Sequence, residues 1–182
     1  MNRLKTAAYR LQRGFTLIEL LVVVGILGIL AAGVLVAVDP LEQIRKGQDT
    51  NIRSALVETH NAINRYYATR TEFPWCSGGA CTLATTQLGD AAFWGATGYL
   101  TDLIDDGELK AEFRTGLGQT SANRIYLTSA DGDSVTVCFQ PASKSLRNDD
   151  NLVRYNSDGV DNLAGKDCDV AGTSNGCYWC AP

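Results

Sequence analysis

The sequence predicts an α+β fold. A long N-terminal α-helix, membrane-spanning in its first half, packs by its second half on a small antiparallel β-sheet. A disulfide-stapled C-terminal region follows. Three observations predict this. From Phe15 to Val38 the only polar side chains are Thr16 and Glu19. Apolar residues then recur at helical spacing as far as Tyr66, with charges between them. Two β-rich runs flank Asp131-Gly132 further along.

The apolar run covers residues 15–38, and about 20 apolar residues suffice to cross a bilayer. It is long for the core of a cleaved signal peptide. Arg3, Lys5, Arg10 and Arg13 precede it without an acid, which places the N-terminus in the cytoplasm and the body outside. The formal charge of −4 is therefore divided. Residues 1–14 carry +4, and residues 15–182 carry −8, from 12 Lys and Arg against 20 Asp and Glu. An acidic body repels a phosphate backbone, so no nucleic-acid partner is expected. A competing reading uses Ala31-Ala32-Gly33 as a conventional cleavage site, which would release a soluble body.

Glu19 needs its own account. A carboxylate inside a membrane-spanning run is costly and is by default a functional residue. The plainer alternative is that it reaches back to the headgroups.

After Asp39-Pro40 the helical pattern resumes through Leu41, Ile44, Gln48, Ile52, Ala55, Leu56, Ala62, Ile63 and Tyr66. Proline kinks a helix, so the reading is one bent helix from Phe15 to Ala68, roughly 80 Å long at 1.5 Å per residue. Gly25, Gly28 and Gly33 weaken its first half. They either are tolerated or let other helices approach closely.

Thr71-Glu72-Phe73-Pro74 ends the helix. Cys76 and Cys81 then enclose two glycines, a spacing that allows a small disulfide ring. Residues 82–123 read as a connecting region, with short helices expected within Leu83–Leu88 and Gly98–Phe113. Arg124–Ser129 and Ser134–Gln140 form the expected hairpin around Ala130–Asp133, with Val135, Val137 and Phe139 on one face and Thr136 and Cys138 on the other. A third strand is expected over Leu152–Tyr155.

All six cysteines, Cys76, Cys81, Cys138, Cys168, Cys177 and Cys180, lie beyond the apolar run, which fits disulfides in an oxidising compartment. With Cys76 paired to Cys81, three pairings of the other four remain open. Cys177-Tyr-Trp-Cys180 is also a CxxC, open to redox or zinc chemistry. Asp158, Asp161, Asp167 and Asp169 offer oxygen ligands for calcium, although Asp, Asn and Gly equally form plain turns. No other cofactor is expected. There is no nucleophile elbow, P-loop or HExxH, and the single histidine, His60, reads as helix surface, so no catalytic residue is assigned and no enzyme is expected.

Arg13-Gly14-Phe15-Thr16-Leu17-Ile18-Glu19 resembles the class III signal of type IV prepilins and of type II secretion pseudopilins. The basic leader, the Gly before the junction, the Phe after it and the Glu four residues on all match. The resemblance covers residues 1 to about 68 and implies a pilin-like fold. It implies a leader, 1–14, removed by a prepilin peptidase between Gly14 and Phe15, followed by N-methylation of Phe15. Residues 15–39 would be the membrane and assembly helix, 40–70 its amphipathic continuation, and 71–182 the extracytoplasmic domain. The implied role is a structural subunit of a pilus or pseudopilus filament, in which Glu19 pairs with the Phe15 amine of a neighbouring copy. The implied partners are copies of the chain, other pilins, the peptidase, a membrane platform protein and the cytoplasmic membrane. The implied location is that membrane first, then an extracellular or periplasmic filament. Two alternatives stand beside it: a minor tip pilin or adhesin binding through aromatics near Trp75, Trp94 or Trp179, and a calcium-binding pseudopilin.

Overall fold

The computed structural model describes residues 14–37, 39–147, 157–158 and 177–181. The chain forms two units, residues 1–40 and residues 41–182, each described by itself.

The first unit is built on α1 (Leu17–Ala37), 21 residues or roughly 32 Å of helix. Its Leu17–Val34 stretch has a mean hydropathy of 2.7, and none of it is buried within the chain. Large apolar side chains point outward all round the helix, from Leu17 and Ile18 to Leu30 and Val34. A helix apolar on every face is stable only inside lipid or among other helices. A Cβ added at Gly25, Gly28 or Gly33 would meet no atom within 4 Å, so the fold of one chain does not require these glycines.

The expected single helix from Phe15 to Ala68 is two helices. The first ends at Ala37, Asp39 lies outside both, and α2 (Pro40–Arg70) begins at the proline itself. The physical reason is that proline lacks the N–H that a helix interior requires. At the first helical position that N–H has no intrahelical partner anyway, and the fixed φ suits the turn.

Only one stripe of α2 is inward: Asp49, Ile52, Leu56, Thr59, Ala62 and Ile63. Leu41 and Ile44, read above as part of the packing pattern, are 63% and 57% exposed. Ile52, Leu56 and Ile63 join one apolar core with Phe93, Leu100, Leu103, Ile125, Leu127, Val137 and Phe139. The helix ends at Arg70. Thr71 follows at φ 59°, a left-handed position usually held by glycine, and its N–H donates to the Tyr67 carbonyl at 2.7 Å.

The sheet has four strands in the order β1 (Leu83–Gln87), β2 (Ile125–Ser129), β3 (Thr136–Phe139) and β4 (Trp179–Cys180), every neighbouring pair antiparallel. The β2–β3 hairpin follows the sequence reading. Ile125 faces Phe139 and Leu127 faces Val137, and all four are buried. Leu83–Gln87, expected to contribute helix, is instead a strand paired to β2, with an irregularity between Leu83 and Thr86. Its β-branched Thr85 and Thr86 tolerate either role, and pairing to the waiting edge of β2 decides. The two-residue strand β4 was not foreseen. The strand expected at Leu152–Tyr155 lies outside the described residues.

Short helices fill the space between β1 and β2: α3 (Ala91–Trp94), α4 (Tyr99–Asp105), α5 (Phe113–Leu117) and α6 (Gln119–Ala122). A further one, α7 (Lys144–Arg147), follows β3. A chain of aromatic contacts runs Tyr67–Phe73–Trp75–Phe93–Tyr99, with centroids 4.6, 4.8, 5.9 and 5.1 Å apart in turn. It ties the end of α2 to α3 and α4.

Candidate functional site

The sequence-predicted site begins where α1 begins. Gly14 and Phe15 precede the helix and are exposed, Phe15 at 78%. Thr16 is the residue before the first helical position, and Glu19 stands three residues after it. Thr16 N–H donates to Glu19 Oε2 at 2.9 Å, Thr16 Oγ1 donates to the same oxygen at 2.7 Å, and Glu19 N–H donates back to Thr16 Oγ1 at 3.3 Å. This is a capping box, in which the N–H group of each residue donates to the side chain of the other, so that two N–H groups without a partner in the helix are satisfied.

Glu19 therefore has a partner in its own chain, which the sequence reading missed. The signal was present, because Thr-x-x-Glu before an apolar run is the signature of a capping box. The carboxylate also sits at the positive end of the helix dipole. Among the described residues no donor reaches its second oxygen. Phe15 and Glu19 share one shallow concavity of about 320 Å³ with Ile18, Val22 and Val23. A cut between Gly14 and Phe15 would create an amine on Phe15 and leave the Thr16 amide intact. The cap thus survives such a cut.

The disulfides are Cys76–Cys81 and Cys138–Cys180. In the small ring, Ser77 and Ala80 exchange two backbone bonds at 3.1 Å across Gly78 and Gly79, whose φ values of 60° and 84° define the tight primed turn that glycine favours. Cys138 and Cys180 face each other across β3 and β4. Cys177 is disulfide-bonded as well, so the CxxC is divided between two bridges and is not a free dithiol. Cys168 lies outside the described residues. Trp179 is held by Arg53, whose guanidinium sits 4.3 Å above its ring, and by Phe139 at 6.0 Å.

Of the candidate calcium ligands only Asp158 is described, beside Thr82, Thr85, Thr128 and Ser129 around a concavity of about 470 Å³. Asp161, Asp167 and Asp169 lie outside the described residues. Among the described residues no group of three or more His, Cys, Asp or Glu could hold a metal ion. Trp75 is buried in the core, and Trp94 and Trp179 are half-buried against it, so the three do not form a common exposed platform. His60 is half-buried rather than plain surface. Its Nε2 lies 3.1 Å from Asn64 Nδ2. Burial pushes its pKa down, partly offset by a hydrogen bond to the Val135 backbone.

Asp49 is the residue of the body that sequence reading overlooked. It is fully buried. It accepts from Arg124 Nη2, from Ala142 N–H at 2.9 Å and from Ser143 N–H at 2.7 Å. Arg124 Nη2 also donates to the Gln140 carbonyl at 2.9 Å, and Glu42 accepts from Ser145 N–H at 3.1 Å. Two acids of α2 thereby cap the segment that enters α7. The signal was an acid in register with Ile52, Leu56 and Ile63.

Residues 9–35 match the family model for the prokaryotic N-terminal methylation motif. No curated protein and no solved structure matches the chain. The motif is the class III prepilin signal of type IV pilins and pseudopilins, and here it takes in most of the apolar helix α1. Together they support a type IV pilin-like or pseudopilin protein, a structural type, and among the described residues α1 fits a membrane anchor.

Proposed function

We propose that this chain is a structural subunit of a type IV pilus or pseudopilus filament. A prepilin peptidase cuts between Gly14 and Phe15, Phe15 is N-methylated, and α1 stays on the product as membrane anchor and then as filament core. The methylation motif at residues 9–35, which takes in most of a helix apolar on all faces, carries this reading. Such a helix exchanges lipid for copies of itself at little cost. In this reading the cytoplasmic membrane holds the subunit, a platform protein and other pilins receive it, and the body is exposed outside the cell or in the periplasm.

Glu19 acts in two ways. It caps its own helix through Oε2 and receives the Phe15 amine of a neighbouring copy. A unit charge pair 4 Å apart attracts by about 4 kcal/mol at an effective dielectric constant of 20, which rewards correct axial register. Glu19→Gln separates the two actions, since glutamine also serves in a capping box. The variant is expected to be cleaved and methylated normally but to be lost from sheared filaments, as judged by mass spectrometry of the N-terminus in membrane and filament fractions. Normal incorporation of Glu19→Gln would leave Glu19 with the capping role alone.

No cofactor is needed for this role. Calcium at Asp158 and its neighbours in the tail is a separate proposal, and a calcium-dependent rise in melting temperature abolished by Asp158→Ala would support it.

A further inference from the structure

The geometry points to a second contact between copies of this chain, made outside the apolar helix: a groove flanking α2 takes the exposed start of α2 from a neighbouring copy. The contact rests on the filament reading above. It names a surface that reading does not supply.

Two stripes run along α2. The inner one packs into the core. The other passes through Leu41, Ile44, Gln48, Asn51, Ala55 and Glu58, again at alternating spacings of three and four, so these side chains share one face. Its two ends differ. At the start, Leu41 and Ile44 are large, apolar and mostly exposed, in a helix whose other large aliphatic residues are at least half-buried. Further on, the stripe becomes one wall of a groove of about 520 Å³, whose other wall comes from α5 and α6. Phe113, Leu117 and Ala55 give the groove an apolar patch, and Gln48, Asn51, Ser54, Glu58 and Ser121 make most of the rest of its lining polar. An apolar patch with polar surroundings is the form of a site that accepts one amphipathic face of a helix.

Charge selects the occupant. Arg45 and Lys46 are exposed immediately after Ile44, Glu42 before it accepts from Ser145 N–H of its own chain, and Glu58 is exposed at the groove. Opposite charges therefore flank the two surfaces, which steers and orients docking. One copy cannot make the contact with itself. Ile44 and Ala55 are 11 positions apart on the same helix, roughly 17 Å at 1.5 Å per residue. A second copy, parallel and offset along the helix axis by about that distance, brings its Ile44 over the first copy's Ala55, Phe113 and Leu117. The two partners use different surfaces, so the contact is heterologous and propagates rather than closing into a dimer.

The test places a photoactivatable benzophenone residue at the exposed Asn51 in the full chain and irradiates intact cells. Sheared filaments are then mapped for cross-linked peptides. The expected result is a covalent dimer linking position 51 of one copy to residues 41–46 of another. Adding Ile44→Asp is expected to reduce that dimer about tenfold or more, because a carboxylate would enter an apolar patch. Ile44 is exposed, so this variant folds. Filaments recovered with cross-links confined elsewhere, or with no dimer, overturn the contact and leave the filament reading standing. Absence of filaments from the unsubstituted chain would remove that reading, and the contact with it.

Discussion

Replacing Asp49 with alanine is expected to destabilise the body by about 3–5 kcal/mol, the range for breaking a buried charge pair by removing one partner. The structure supplies the reason. The Asp49 side chain is fully buried, while that of Arg124 is 27% exposed, so the loss is not cushioned by water on the acid's side. The substitution strips acceptors from Arg124 and from the N–H groups of Ala142 and Ser143. Arg124 keeps the Gln140 carbonyl, but the two N–H groups would lose their acceptor, at about 1–3 kcal/mol for a group that stays buried. Ser143 is fully buried, so its N–H cannot turn to solvent. The assay is thermal and urea unfolding of the full chain in detergent, followed by tryptophan fluorescence. Trp75, Trp94 and Trp179 all lie in or against the core. At about 2–4 °C per kcal/mol the melting temperature should fall by roughly 10 °C, with the urea slope unchanged. Asp49→Leu with Arg124→Leu should recover part of the loss, since apolar replacement of a whole buried pair is often neutral. A loss under about 1 kcal/mol for Asp49→Ala would refute the claim that this carboxylate ties α2 to the segment after β3.

Three further outcomes are expected. Removing Cys138–Cys180 by paired alanines should cost about 4 kcal/mol and removing Cys76–Cys81 about 2, because the loops they close differ in sequence separation, 42 against 5, and the entropy of an open chain grows with loop length; equal losses in urea titrations would contradict the ordering. Thr71→Gly should raise stability by about 1 kcal/mol in the same assay, since only glycine is at ease at φ 59°, and an unchanged midpoint would show that the threonine is not strained. Folding favours the neutral form of His60, so the unfolded chain binds the extra proton first. Its contribution is therefore complete above pH 6.5 and is lost as pH falls below that value. A His60→Gln variant should lose this part of the acid sensitivity, and an identical pH profile would assign the sensitivity to other groups.

The sequence alone determined the parts that depend on short-range pattern. The membrane-spanning stretch was legible because apolarity sustained over a bilayer's thickness has few other uses. The methylation motif was legible from its resemblance to the prepilin signal at Arg13-Gly14-Phe15 and Glu19. The β2–β3 hairpin was legible because Asp131-Gly132 separates two β-rich runs whose alternation fixes the inward face. The small Cys76–Cys81 ring followed from its short spacing and its glycines.

Tertiary structure decided what depends on which surface is waiting. Leu83–Gln87 became a strand because an edge of β2 was open to it, and Trp179–Cys180 became one because β3 and Cys138 were. Asp49 became the anchor of the segment after β3 because residues 75 to 94 positions away bring their donors to it. The same chain distance hid the choice of Cys180 over Cys168 and Cys177 as the partner of Cys138. Local pattern reports what a residue can do with its near neighbours. Pairing across long loops is set by the shape of the packed core, which exists only once the chain has closed on itself.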